Sequence, residues 1–175
     1  QMAFIGLNIV VSLAAIRDIT IIGTGNVAFP GIYTLSGNSN ILQALNIVGG
    51  ITENGTLRNV TLKRNNQDDQ SIDLYDALLL GNIDNIPFLM SGDSIHVGPV
   101  TNLVRAGYGF NKTAVFELKL NETFNDLAKY AGGLKNESKK ETFKLVRFEN
   151  NEFQSYEINS KDFLSLKAQN LDSIY

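Results

Sequence analysis

Pro30-Gly31-Ile32-Tyr33-Thr34-Leu35, followed by a helical stretch and Gly49-Gly50, is answered later in the chain by Ala114-Val115-Phe116-Glu117-Leu118, a second helical stretch and Gly132-Gly133. Tyr33 and Phe116 each stand sixteen residues before the first glycine of their pair, and the register continues without a gap to Arg64 and Arg147. A repeat of about eighty residues can close its own core, whereas solenoid units of roughly twenty to fifty residues cannot. The chain is therefore read as two similar small domains.

Working outward, the first repeat reads as a strand over 19–22, a turn, a strand over 31–35, a helix over 41–48, a strand over 60–64, a polar turn over 65–70, an extended piece over 71–74 and a last strand through 95–97. Asn40 and Gln43 form a capping pair, Ile41, Leu45 and Val48 share one helix face, and Gly49-Gly50 supplies a left-handed stop. The second repeat does the same work with other residues. Thr123 and Asp126 cap, Phe124, Leu127 and Ala131 form the apolar face, and strands over 143–148 and 153–158 flank a turn over 149–151. Asp172-Ser173-Ile174 parallels Asp93-Ser94-Ile95. A strand hairpin, one helix and further strands within each repeat predict an α+β protein. It consists of two tandem β-grasp domains, each a mixed sheet wrapped around one main helix. The expected boundaries are 19–99 and 100–175, the second copy ending inside its last strand. Residues 1–18 are expected to be an extended segment ending an upstream domain.

Of 175 residues 43% are apolar, and the net charge of −3 with a pI near 5.1 leaves no basic footprint for nucleic acid. The absence of cysteine excludes disulfides, zinc-thiolate sites and thiol nucleophiles. His96, the one histidine, lies in the alternating Ser94-Ile95-His96-Val97 and reads as a structural or solvent-facing strand residue. Met2 to Ile16 is apolar but too short to span a bilayer. A signal peptide ending at Ser12-Leu13-Ala14 is the alternative, although a positively charged start is missing. Glycosylation-type sequons begin at Asn54, Asn59, Asn111, Asn121 and Asn136, in a chain rich enough in asparagine to produce many by chance.

One ordered string in the first repeat resembles a known family: 25–35 (Gly-Asn-Val-Ala-Phe-Pro-Gly-Ile-Tyr-Thr-Leu), Gly49-Gly50-Ile51-Thr52, Val60 to Arg64, Ile72 to Tyr75, Gly81-Asn82 and Ser91 to Ile95. It is similar to the soluble-ligand-binding β-grasp (SLBB) domain of bacterial outer-membrane polysaccharide export proteins. The second repeat looks like a divergent copy, with Thr113-Ala114 where the first has Pro30-Gly31. The resemblance implies a periplasmic part of a capsule or exopolysaccharide export channel, outer-membrane associated in the full-length protein. Copies would surround an axial cavity, with a polysaccharide polymer and inner-membrane synthesis and export machinery as partners. It implies no cofactor and no catalysis. The alternative is a discrete soluble module that binds a glycan or small ligand. A pocket with converging aromatics would favour that module, and a smooth polar surface with large apolar flanks would favour the ring.

Each candidate site also has a structural reading. Gly23-Thr24-Gly25 lacks the third glycine of a dinucleotide fingerprint and reads as a turn. Gly49-Gly50 and Gly132-Gly133 follow helix C-termini, where the dipole repels anions. Arg64 and Arg147 could bind an acidic sugar but read as solvated charges on sheet edges. Asp73, Asp76 and Asp84 show no spacing that predicts a glycosidase pair, and Asp93 reads as a turn residue accepting backbone amides. Tyr33, Tyr75, Tyr108 and Phe29 are the aromatics suited to stacking on sugars, with Tyr33 and Phe116 assigned to the core by their alignment. The hairpin turns carrying Asn26, Phe29, Tyr108, Asn111 and Lys112 are the expected polymer or subunit contacts.

Overall fold

The computed structural model describes residues 17–136 and 142–175; the expected N-terminal segment lies almost entirely outside the described residues. The first repeat contains β1 (Asp18–Gly25), β2 (Gly31–Ser36), α1 (Ile41–Ile47), β3 (Gly55–Lys63), β4 (Gln70–Ile72), α2 (Tyr75–Leu78) and β5 (Ser94–Pro99). The second contains β6 (Leu103–Ala106), β7 (Ala114–Glu117), α3 (Phe124–Tyr130), β8 (Thr142–Glu149), β9 (Glu152–Asn159), α4 (Ser160–Ser165) and β10 (Ser173–Ile174). The sheets have the same order, β2-β1-β5-β3-β4 and β7-β6-β10-β8-β9. In each, the first and last strands of the repeat run parallel at the centre, and the remaining pairs are antiparallel. Two tandem α+β domains of β-grasp type result.

Local chemistry sets the elements. The Asn40 side chain accepts from the Gln43 amide while Gln43 returns the bond to Asn40, closing the capping box of α1. At α3, both the Thr123 amide and its hydroxyl donate to Asp126. Each helix ends where the chain turns left-handed, at Gly49 and Gly50 (φ 84° and 88°) and at Gly132 and Gly133 (74° and 92°). The apolar stripe of α1 completes one core with Ile21, Val60 and Ile95, all buried. In the second core Phe163 of α4 packs with Phe143, Phe124 and Phe110 at ring separations of 4.2, 5.8 and 6.3 Å. The short helices α2 and α4 were not anticipated. Gly23 and Thr24, expected in a turn, lie within β1, where Gly23 leaves room for the Val48 side chain.

The two equivalent arginines are ion-paired rather than solvated. Arg64 grips Asp93 through Nε and Nη2 at 2.8 and 2.7 Å, and Arg147 grips Asp172 through the same atoms at 2.9 and 2.7 Å. Each arginine also donates to a carbonyl, of Phe88 or Lys167, and each aspartate accepts the amide three residues earlier, of Met90 or Gln169. The edge-charge reading fails because each aspartate is fully buried in the turn before the last strand, where its charge demands a cation. The backbone-accepting role expected of Asp93 is present.

A third arginine, Arg58, joins the domains. The β3–β5 register shifts between Gly55 and Val60, and Arg58 lies in this irregular stretch. Its guanidinium meets Asp73 of the first domain at 2.9 Å and Glu122 of the second at 2.7 Å, and donates to the Glu117 carbonyl at 3.0 Å. Tyr75 and Tyr130 lie under it, their ring centroids 4.3 and 5.1 Å from Cζ. Tyr75, considered above for sugar stacking, is buried in the second domain's core although it belongs to α2 of the first. Its hydroxyl accepts from the Glu117 amide at 2.7 Å. The Glu117 carboxylate in turn accepts the Thr56 hydroxyl and the Leu57 amide. Burial alone would raise the Asp73 and Glu122 carboxyls, but hydrogen bonds from Arg58 and neighbouring donors outweigh it and hold both below the ordinary range.

Arg58→Ala should cost about 3–5 kcal/mol, because it strands two partly buried carboxylates. Urea unfolding followed by tryptophan substitutes placed singly in each domain should change from one shared transition to two. Since both carboxyls titrate lower when folded, their stabilisation is complete above about pH 4 and is lost as pH falls through the depressed values. The wild-type transition should therefore weaken in acid more steeply than that of Arg58→Ala. Arg147→Ala should likewise cost about 3–5 kcal/mol. Arg64→Ala should cost less in the same assay, because the Arg64 side chain is 20% exposed against 9% for Arg147.

Candidate functional site

In both domains the hairpin tip between the first two strands is folded back onto the end of the main helix. Ala28 and Phe29 amides donate to the Gly50 and Val48 carbonyls at 3.0 and 2.9 Å; Asn111 and Lys112 amides donate to those of Gly133 and Ala131, both at 2.9 Å. These bonds satisfy carbonyls that a helix end leaves open. The departure of Thr113-Ala114 from Pro30-Gly31 thus does not alter how the tip docks.

The structure places the five expected contact residues on these tips, in two separate sets. Asn26 is half-buried, its side-chain amide reaching the Val97 carbonyl at 3.4 Å and its own carbonyl accepting from Thr52. Phe29 is 66% exposed and covers Gly49, where a β-carbon would come within 2.6 Å of the ring. Its carbonyl accepts the Tyr33 hydroxyl at 2.6 Å. Tyr33 is only half-buried, unlike its counterpart Phe116, so the two share an alignment but not a full core role. In the second domain, Asn111 donates to the Gly132 carbonyl at 2.7 Å, Lys112 is exposed, and Tyr108 is 70% exposed with Lys135 Nζ 4.2 Å from its ring centroid. Among the described residues no hydrogen bond joins the two tips.

Each sheet also presents an outer face, and one cross-strand row occupies the same place in both. In the first domain the register puts Thr24, His96, Thr61 and Ser71 side by side across β1, β5, β3 and β4. The Thr24 hydroxyl is 3.1 Å from His96 Nδ1, and Thr20 faces Thr34 on the same side. This is a band of hydroxyls with the exposed imidazole expected for His96. In the second domain the row is Gly107, Tyr175, Lys144 and Glu157. Gly107 donates to the Ile174 carbonyl, Tyr175 and Lys144 exchange backbone bonds, and Lys144 faces Glu157. The row borders a cleft of about 310 Å³ lined also by Tyr108 and Thr142.

Tyr175, Lys144, Glu157 and Lys135 were not singled out from sequence. The usable signal was the hairpin register about the 149–151 turn, which sets Lys144 opposite Glu157. Asp76 and Asp84 border an open acidic hollow with Asp73, whose carboxylate is committed to Arg58 and Lys119. No cluster able to hold a metal ion occurs among the described residues, and no helix among them is long and apolar enough to cross a membrane.

The family model for the SLBB domain matches residues 24–73. Two curated relatives, both named polysialic acid transport protein KpsD of Escherichia coli, are 33% identical to this chain over 94 residues. That alignment covers 53% of this chain and 17% of each relative, so the chain spans about a sixth of the length of the relatives it matches. Residues 24–73 thus match the SLBB domain, the family that the ordered motifs of the first repeat resemble.

Proposed function

We propose that this chain is a non-catalytic, periplasmic part of a bacterial polysaccharide export channel, outer-membrane associated in the full-length protein. In this reading the β-grasp domains, 19–99 and 100–175, line or buttress a ring of identical subunits that works with inner-membrane synthesis and export machinery. The observation that carries it is the hydroxyl band on the outer face of the SLBB-matched domain. Thr24, His96, Thr61 and Ser71 offer a polymer a series of weak, exchangeable hydrogen bonds rather than one deep site. Spread affinity lets a chain slide, whereas tight binding would block it. The relatives named for polysialic acid transport support the substrate class.

Neighbouring subunits have a surface to cover. Leu80, Ile83, Phe88 and Met90, between α2 and β5, are each more than half exposed. A patch of this kind is characteristic of an interface. The reading of a discrete glycan-binding module finds its support in the second domain, where Tyr108 and Tyr175 border one cleft.

In the source bacterium, deleting the segment that encodes these domains should remove most surface polysaccharide and leave polymer inside the envelope, measured by fractionation and glycan immunoblotting. Unchanged surface polysaccharide would contradict the export role. In the purified full-length protein, Leu80→Asp combined with Phe88→Asp should lower the sedimentation coefficient of the assembly without altering circular dichroism.

A further inference from the structure

We infer that the outer edge of β9 in one copy of this protein pairs with the outer edge of β2 in the next copy, continuing the sheets from subunit to subunit. This inference rests on the ring reading and adds the contact that closes it. The strand orders β2-β1-β5-β3-β4 and β7-β6-β10-β8-β9 leave edges at β2, β4, β7 and β9. β7 lies against the first domain, where the Glu117 amide donates to the Tyr75 hydroxyl and the Glu117 carboxylate accepts from the Leu57 amide of β3. β4 is three residues long and covers only Val60 to Leu62 of β3. The strand series thus runs from β2, six residues long, at one end to β9, eight residues long, at the other.

Both terminal edges carry unanswered backbone groups. The Thr20 carbonyl and the Ile22 amide of β1 bond toward β5, to Gly92 and Asp93, so Ile19, Ile21 and Gly23 face β2. Alternation then leaves the amides and carbonyls of Ile32 and Thr34 pointing outward. Lys144 of β8 exchanges bonds with Tyr175, so Phe143, Leu145 and Arg147 face β9, and the backbone groups of Phe153, Ser155 and Glu157 point outward. Among the described residues no backbone hydrogen bond from outside the two ladders reaches any of these five. Sheet edges are commonly blunted by a lysine, a proline or a bulge, and neither strand has one. Each instead exposes an apolar side chain, Ile32 at 72% and Phe153 at 63%. The strand that suits β9 is β2 rather than a second β9. Two β9 strands would bring together four glutamates, Glu152 and Glu157 of each copy, whereas β2 carries no charge. A β9–β9 pair would also close on a two-fold axis, while a contact between two different edges is the kind that generates a ring. The edge of β2 runs on into the apolar patch that neighbouring subunits cover in the ring reading: the Ser39 carbonyl accepts from the Leu89 amide at 2.9 Å, and Asn40 bridges to Phe88. Strand pairing alone is small against the roughly 800 Å² per partner of a standard interface. The patch therefore adds area, and the paired edges set direction and register.

Cysteine cross-linking in the full-length protein tests the contact, since residues 1–175 contain no cysteine to compete. Ser155→Cys mixed with Thr34→Cys, or with Ile32→Cys, should on oxidation give a mixed disulfide between copies in the pairing that matches the register, beyond any seen in the wild type. Paired strands hold opposed α-carbons about 4.5–5.5 Å apart, within disulfide reach. Ser155→Pro and Thr34→Pro remove only outward-facing amides and so spare each hairpin. Each should weaken assembly by about tenfold in sedimentation velocity, with circular dichroism unchanged. Ser155→Thr, which keeps the amide, should assemble as the wild type does. A disulfide between two Ser155→Cys copies would overturn the choice of β2 as the partner strand. Absence of both mixed disulfides, or full assembly of both proline variants, would overturn the edge contact and leave the ring standing. A wild-type full-length protein that sediments as a monomer would instead remove the ring reading, and this contact with it.

Discussion

A guanidinium taken out of water must meet carboxylates, and Arg58 meets one from each domain. Asp73 and Glu122 are held by the same side chain, while Tyr75 and Tyr130 enclose it in an edge-on pair with ring centroids 5.1 Å apart. Neither domain can move away without leaving a charge and a buried tyrosine hydroxyl unsatisfied. The rest of the molecule depends on this constraint, because it fixes how one sheet's outer face stands relative to the other's.

The repeats share a plan and divide the work. Both use an arginine in or just after the third strand to neutralise a buried aspartate before the last strand, and both dock a hairpin tip on a glycine-terminated helix. The divergence lies in the short helix before the last strand. In the second domain α4 sends Phe163 into its own core, whereas α2 sends Tyr75 into the neighbour's and leaves Leu74 to fill its own. The outer faces diverge in the same manner. One carries a band of hydroxyls, and the other an aromatic cleft in which Lys144 faces Glu157.

Much of the fold was legible because it is written locally. Capping pairs, glycine stops and alternating strands at 19–22 or 143–148 act within a few residues of one another, and the repeat supplied each pattern twice. The Arg64–Asp93 and Arg147–Asp172 pairs escaped because their separations differ, 29 residues against 25, so no single offset links both partners. Helices of four and six residues are too short to show a 3.6-residue period. The role of Arg58 was hidden for a stronger reason: its partners come from β4's end and from the other domain, and only tertiary packing brings them together. Of the site, the hairpin tips were legible as turns. The cleft was not, because Tyr108 comes to it from a hairpin tip while Lys144, Glu157 and Tyr175 are brought there from separate segments by sheet register.

The central claim is that the tandem behaves as one rigid body held by the Arg58 centre, and backbone ¹⁵N relaxation of the wild-type chain tests it most directly. The account predicts a single rotational correlation time for amides of both sheets. Two distinct correlation times, one for each domain, would contradict it.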